Sequence, residues 1–397
     1  MKIAILGGGV AGVSSAILLK QKGFDVTVYE RHAAPSNIGA GIVVWPNAAY
    51  VLEQIGVLNE IKAVSGYPTR MRRLSSANED LGSIDIEMIN SHMGYPSLSI
   101  LRNDFQNILL SKLEYLGVAI EYGHTVMNVE TKNTGQAEVH FKNGGKATAD
   151  VIIGTDGRMA SYARRYVQGD NAPVYQGFIN WIGVYESEEE YFDEIAVSDY
   201  WGVGERFGIV PVTKHKAYWA GGVACANITP RKPAEYKDEL VSIFSNWPKP
   251  VQMMIENTPI DRINKIYVHD HDPIKTWHKH NLIAIGDAAH ASLPTSGQGA
   301  CQALEDAWHL ANCLMEHPLD LHQAFVKFTD IRFEKTTNIT MAGRGFALSL
   351  FNRDEKFCMA RNDTSKITDF TKVAAAMSRG WSQHLPLIYV RFGQCLR

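Results

Sequence analysis

Nowhere does the chain hold an uncharged run near the roughly 20 apolar residues that a helix needs to cross a bilayer. Its first residues read as a strand, not as a removable leader. No lysine or arginine block is present, and the formal net charge is -3, so no general affinity for nucleic acid is expected. The five cysteines (Cys225, Cys301, Cys313, Cys358 and Cys395) are scattered without metal-ligand spacing. An odd set without a pairing pattern fits a reducing compartment, and no metal is expected. Ser292 and Ser296 do not stand in a G-x-S-x-G elbow, so no serine nucleophile is signalled. Repeats and low-complexity segments are missing too. What remains is an ordinary globular composition, 45% hydrophobic and 20% charged over 397 residues, long enough for two or three domains. A cytoplasmic protein is expected.

The most organised stretch is the first thirty-one residues. Ile3 to Leu6 read as a buried strand that enters Gly7-Gly8-Gly9-Val10-Ala11-Gly12. A helical pattern then runs to Lys22, and a second β-rich run, Val26 to Tyr29, ends at Glu30. In such a strand-turn-helix-strand unit, Gly7 permits the tight turn and Gly9 lets the backbone approach a diphosphate. Gly12 lets the helix pack on the strand. The N–H groups at Val10 and Ala11 open the helix, and Glu30 would accept from ribose hydroxyls. This reading points to a dinucleotide and leaves FAD and NAD both open.

Further on, Pro46 suits the first turn of a helix closed by Gly56. Tyr67 to Ile89 alternate as in strands, and Asn103 or Asp104 suits the cap of a helix over Phe105 to Tyr115. Ala137 to Phe141 and Ala147 to Ala149 read as a hairpin around Asn143-Gly144-Gly145. Val151-Ile152-Ile153 form a buried strand that runs into Gly154-Thr155-Asp156-Gly157. From about Pro173 to Tyr267 aromatics and alternation dominate, as in an antiparallel sheet, with a helix over Ala234 to Phe244. A parallel-sheet signal resumes at Leu282 to Ile285, followed by a helix from about Gly299 to Met315. The remainder is helical by pattern.

The stretch Gly286-Asp287-Ala288-Ala289-His290-Ala291-Ser292-Leu293-Pro294-Thr295-Ser296-Gly297-Gln298-Gly299-Ala300 resembles the second FAD motif of single-component (class A) flavin monooxygenases, the aromatic hydroxylases. The resemblance covers roughly residues 1 to 345. It implies that Asp287 holds the ribityl hydroxyls of FAD. Gly297, Gln298, Gly299 and Ala300 would lie beside the pyrimidine end of the flavin, at a helix start that favours an anionic reduced ring. Asp156 and Gly157 match the family's Asp-Gly motif, whose aspartate contacts FAD and the incoming nicotinamide nucleotide. Ser161 and Arg164 each fall one position late, as if the loop carried one extra residue. Arg102 matches an arginine used against FAD, and Arg31 lies near the adenosine half. His290 fits a structural residue better than a catalytic base.

The implied fold is α/β. A Rossmann-like, para-hydroxybenzoate-hydroxylase-like FAD domain would span 1–72, 95–172 and 268–345. An inserted antiparallel substrate domain would span 73–94 and 173–267, and a helical segment 346–397. The implied reaction reduces FAD with NADH or NADPH, captures O2 as a C4a-hydroperoxyflavin, and hydroxylates a small aromatic or heteroaromatic ring. A monomer or homodimer without nucleic-acid or membrane partners is expected.

Ile179 to Gly183, Gly204 to Val212 and Trp247 to Val251 are similar to stretches of FAD-dependent urate hydroxylases, with 3-hydroxybenzoate 6-hydroxylases and 6-hydroxynicotinate monooxygenases as near relatives. By this resemblance Arg206 and Tyr218 face the substrate. The plain alternative makes both ordinary sheet residues. Thr295 stands where the urate enzymes have an acidic residue, which argues for a different ring. Phe178, Trp181, Tyr200, Trp201, Phe207 and Trp219 are candidates for an apolar pocket, although most of such a stripe is expected to be core. His269, His271, His278 and His280 read as a polar loop and not a metal site. Two other functions fit the motifs: the same chemistry on a larger polycyclic phenolic such as a tetracycline, and a flavoprotein that does not oxygenate, either an oxidoreductase or a redox-responsive protein.

Overall fold

A computed structural model describes residues 1–35, 40–133, 135–169 and 172–387. Two sheets set the architecture. The first orders its six strands as His278–Lys279, Leu282–Ala284, Val151–Gly154, Lys2–Leu6, Asp25–Glu30 and Ile120–Tyr122. Only the outermost pair, 278–279 with 282–284, is antiparallel. A parallel sheet covered on both faces needs apolar residues throughout, and Ile3, Ile5, Val28, Ile152 and Ile153 are buried. Ile5 is in register with Ile153 on one side and Val28 on the other. Three distant pieces of sequence therefore meet in one sheet, whose strand ends at Leu6 and Gly154 form a single rim.

The second sheet has seven strands: Asn264–Asp270, Val174–Glu186, Lys216–Ala224, Glu205–Pro211, Val197–Trp201, Arg70–Ser75 and Asp80–Asp85. It is antiparallel except where Val197–Trp201 runs parallel to Arg70–Ser75. The chain crosses between the sheets near 70 and 270, three residues outside the expected 73 and 267. Alternation gives this sheet two unlike faces. Trp181, Tyr200, Phe207 and Trp219 pack under the helices Tyr236–Phe244 and Lys249–Asn257, in one core with Phe244 and Trp247. The opposite face carries Asn180, Ile182, Arg206, Gly208, Tyr218, Ala220 and Gly222, which are cross-strand neighbours.

Local chemistry overrode pattern in several places. Ile86–Met93 is a helix where alternation suggested strand, because Asp85 accepts from Glu87 N and Met88 N and Gly94 ends it with φ 76°. The helix Arg102–Tyr115 starts at Arg102, after Leu101, and neither Asn103 nor Asp104 caps it. Lys249–Asn257 is a helix that the sequence reading did not separate. Leu321–Leu350 is one continuous helix, so the expected boundary at 346 falls inside it. Glu355–Lys366 and Phe370–Ser382 follow and lie against the strand Asp80–Asp85, with Ser365 Oγ donating to Leu81 O at 2.8 Å. Residues 388–397, which include Cys395, lie outside the described residues. Among the described residues no helix is long and apolar enough to cross a membrane.

Candidate active site

The nucleotide cradle grows from two close approaches. A Cβ on Gly12 would stand 1.9 Å from Gly7 O, so only glycine lets the helix Val10–Gln21 cross in contact with the turn. Gly7 itself has φ 121°, and a Cβ there would meet Thr155 O at 2.4 Å. Thr155, not singled out from the sequence, ties the rim together: its hydroxyl donates to Leu6 O at 3.0 Å and Gly7 O at 2.9 Å. Gly9 is different in kind. Nothing lies within 4 Å of a Cβ placed on it, and it caps the helix without a side chain, which leaves room for a diphosphate at the N–H groups of Val10 and Ala11. Glu30 closes the cradle. Its Oε2 accepts from Gly8 N at 2.7 Å and its Oε1 from His32 N at 2.9 Å. Burial pushes this carboxyl up, but the hydrogen bonds from His32 and Gly8 outweigh it and hold the group below its ordinary value. Oε2 keeps a lone pair for a ribose hydroxyl. Arg31 is exposed at the same edge.

Asp287 opens a one-turn helix, Asp287–His290, and two arginines attend it. Arg158 Nη1 lies 3.2 Å from Asp287 Oδ2. Desolvation lowers the Arg102 pKa, although part of the residue reaches solvent, while Asp287 raises it and Arg158 lowers it further, so all three groups share one field. Two guanidiniums around one carboxylate leave net positive charge where a diphosphate and ribityl chain would pass. Arg158, one residue after Gly157, was not foreseen. Asp156 turns its carboxylate inward: it accepts from Ser161 Oγ and Tyr162 N, both at 2.5 Å, while Ser161 caps the helix Tyr162–Gln168 by accepting from Arg164 N. Burial raises its pKa despite these donors. Gly157 has φ 79° and open space at its Cβ position. Arg164 is buried and donates to Ala288 O at 3.2 Å and Ala289 O at 2.6 Å. Ser161 and Arg164 are thus positioning residues that fix the Asp287 turn.

The Gly297–Ala300 turn is braced from below. Trp45 Nε1 donates to Gly297 O at 2.9 Å, and the Gln298 side chain is buried against Asn47 Nδ2, also at 2.9 Å. Gly299 opens an eighteen-residue helix that Gln298 does not cap with its side chain, and a Cβ at Gly299 would meet nothing within 4 Å. Beneath lies a fully buried charge network. Glu305 accepts from Asn47 Nδ2 at 2.7 Å, from Lys335 Nζ at 2.8 Å and from Arg332. Asp306 accepts from Arg332 Nε at 2.7 Å, His290 Nε2 at 2.5 Å and Gly286 N at 2.7 Å. Burial alone would raise both carboxyls; Lys335 and Arg332 at Glu305, and His290 and Arg332 at Asp306, reverse the direction. Desolvation brings Lys335 down to about 8. Lys335 also donates to Trp381 O at 2.6 Å, and the Trp381 ring lies 4.8 Å from Trp45. The helix Phe370–Ser382 thereby supports the Gly297–Ala300 turn. Thr295 Oγ1 donates to Gly343 O at 2.8 Å, so this residue fastens the turn to the long helix.

Across from the turn stands the open face of the seven-stranded sheet. Tyr218 packs its ring on Gly41, where a Cβ would be 2.0 Å away, and Cys301 of the turn's helix lies within its field. Burial pushes the Tyr218 hydroxyl far up, so it stays protonated and is a donor. Ala220 pairs with Gly208 and Ile182, then Gly222 pairs with Arg206 and Asn180. Tyr218 and Gly222 are four residues apart on one strand, roughly 13 Å at the usual rise. Between them lies a floor of small residues with Tyr218 at one side and Arg206 and Asn180 at the other.

Arg206 is held by Asp199, whose Oδ1 accepts from Nε at 2.6 Å, and its Nη2 stands beside Gly208. Asp199 also accepts from Trp201 Nε1 at 2.9 Å. Arg73 and Arg361 lie over the Trp201 ring at 5.1 and 5.3 Å and feel the same carboxylate, so this end is net positive. Asn180 is 5% exposed and has no side-chain hydrogen bond to the described residues. Its Oδ1 would lie 2.4 Å from a Cβ on Gly222. Sequence reading missed Asn180 and Asp199, which only strand register brings beside Arg206, and Arg361, which comes from the helix Glu355–Lys366.

Of the six candidate aromatics, Trp181, Tyr200, Phe207 and Trp219 face away from this floor, by strand parity; Phe178 and Trp201 share its face. Of the four histidines expected in a polar loop, His269 and His278 lie in the strands Asn264–Asp270 and His278–Lys279. His271 bonds Arg158 O at 2.7 Å and His278 meets His322 at 3.4 Å. Among the described residues the group with metal-ligand spacing is Glu130, Glu138 and His140, where Glu138 already pairs with Lys132 and Lys146.

The FAD binding domain family matches residues 1–319. A FAD-dependent urate hydroxylase of Mycolicibacterium vanbaalenii is 31% identical over 87% of this chain and 87% of its own. A 6-hydroxynicotinate 3-monooxygenase of Pseudomonas fluorescens is 29% identical over 90% of this chain and 94% of its own. The fold is shared with Klebsiella pneumoniae HpxO complexed with FAD and uric acid, at a TM-score of 0.87 and 24% identity over 96% of this chain and 97% of that one.

Proposed function

The chain belongs to the FAD binding domain family, and from that premise we propose that it is a monooxygenase that hydroxylates a small, planar, anionic aromatic or heteroaromatic ring with NADH or NADPH and O2. The observation that carries the substrate reading is the floor between Tyr218 and Arg206, set on the sheet face that meets the Gly297–Ala300 turn. The residues of the cradle fit the cofactor: Gly9, Gly157 and Gly299 leave space where backbone must approach it, and Glu30, Arg102, Arg158 and Asp287 supply matching charge. FAD, when bound, supplies the transfer of electrons from the nicotinamide and of one oxygen atom to the ring.

The chain's own residues do the rest. The helix opening at Gly299 presents N–H groups and a positive dipole end to negative charge on the cofactor ring. Arg206, its orientation fixed by Asp199, holds the anionic edge of the substrate through its terminal nitrogens. The Tyr218 hydroxyl donates from the opposite side, and the Asn180 amide reads a ring N–H or oxygen. Urate, 6-hydroxynicotinate and similar rings, named for the relatives, are the first substrates to try. The free state of Cys225, Cys301, Cys313 and Cys358 supports a cytoplasmic location.

The test is NADH and NADPH oxidation together with oxygen uptake across urate, 6-hydroxynicotinate and 3-hydroxybenzoate. At least one ring should stimulate both. Arg206→Ala should lower kcat/KM for the stimulating ring by about 10- to 100-fold, the loss of one charged hydrogen bond, with FAD content unchanged. Wild-type behaviour across the panel would make Arg206 a sheet residue that serves only Asp199.

A further inference from the structure

We propose that Phe351 is a specificity-determining residue: it closes the far end of the floor and sets the ring length that the site accepts. This rests on the hydroxylase reading. Phe351 directly follows the long helix, and its ring reaches back over the sheet, where a Cβ on Gly222 would stand 2.9 Å from its Cζ. It stacks on Phe178 with centroids 4.1 Å apart and planes 16° apart. Val268, Ala347 and Leu293, the last in the loop that leads to the Gly297–Ala300 turn, belong to the same apolar cluster. The cluster therefore fills the space between the two halves of the site at the end away from Tyr218.

The ring is held in place from both sides. Arg353 donates to Ala224 O, and its Cγ lies 3.0 Å from a Cβ position on Gly204. Arg361 donates to Ser349 O and Gly202 O, each at 3.0 Å. Asn352 Oδ1 accepts from Asp354 N at 2.8 Å, and Asp354 caps the next helix through Phe357 N at 3.0 Å. Residues 349–361 thus clamp the ends of two sheet strands, and an aromatic side chain so anchored does not yield freely to a ligand. The strand from Tyr218 to Gly222 spans roughly 13 Å, so a ring system long enough to reach Gly222 must displace Phe351.

The test measures ligand binding by perturbation of the flavin absorbance of the holoenzyme, which requires no turnover. The probes are 6-hydroxynicotinate, urate and anthracene-2-carboxylate. Wild type should bind one or both of the first two and reject the third. Phe351→Ala should raise affinity for anthracene-2-carboxylate relative to the smaller rings by at least about tenfold. Phe351→Trp should weaken urate more than 6-hydroxynicotinate. If Phe351→Ala loses FAD, Phe351→Leu carries the same comparison. Unchanged selectivity in these variants, with FAD retained, overturns the assignment. If no probe perturbs the flavin of wild type or of any variant, the hydroxylase reading itself fails and takes this inference with it.

Discussion

Arg332→Met will destabilise the protein by about 3–5 kcal/mol, the cost of removing one partner from a buried ion pair. Arg332 is fully buried and its planar fork spans two carboxylates, Glu305 through Nη1 and Asp306 through Nε. Without it, Lys335 and His290 face two buried anions alone, and at least one carboxylate must take a proton or admit water. The damage will not stay local. Glu305 braces Asn47, which holds Gln298 below the ring turn, while Asp306 holds Gly286 N, the residue before Asp287. Thermal unfolding should show the loss in FAD-free protein, and FAD affinity should fall in the same variant. A wild-type midpoint would mean that the network is dispensable.

Gly9→Ala and Gly12→Ala will part company. The alanine methyl at position 12 would fall 1.9 Å from Gly7 O, so the helix must move off the strand and both stability and FAD binding suffer. At position 9 the methyl meets no protein atom within 4 Å, and the backbone there, φ -80°, suits any residue. FAD-free Gly9→Ala should therefore unfold at the wild-type temperature. Its FAD dissociation constant should rise by at least about 100-fold, near 3 kcal/mol, because the methyl occupies the diphosphate's place. Titration of FAD-free protein by flavin fluorescence, beside thermal unfolding, separates the two cases. Normal FAD affinity in Gly9→Ala would remove the diphosphate from this turn.

The fold was readable where spacing encodes it. Gly7 and Gly12 reveal the first strand-turn-helix because a Cβ at either would strike backbone, whereas no protein atom requires glycine at position 9. Gly56 marked a helix end in the same way, with φ 80°. The substrate face was less readable. Arg206 and Tyr218 came from likeness to known stretches, and their relation to Asn180 and Asp199 depends on which strands lie side by side, which no local pattern states. Parity alone divides the aromatics: Trp219 and Tyr218 are adjacent in sequence and lie on opposite faces. Phe351 and Arg361 reach the site from a segment whose sequence shows only helical pattern.

The most direct measurement of the central claim supplies isotopically labelled dioxygen to the FAD-loaded enzyme with NADH or NADPH and whichever panel ring stimulates oxidation. One labelled oxygen atom in the hydroxylated product, with one product formed per nicotinamide oxidised, is the predicted result. Nicotinamide oxidation that yields only hydrogen peroxide and an unlabelled, unchanged ring would contradict it.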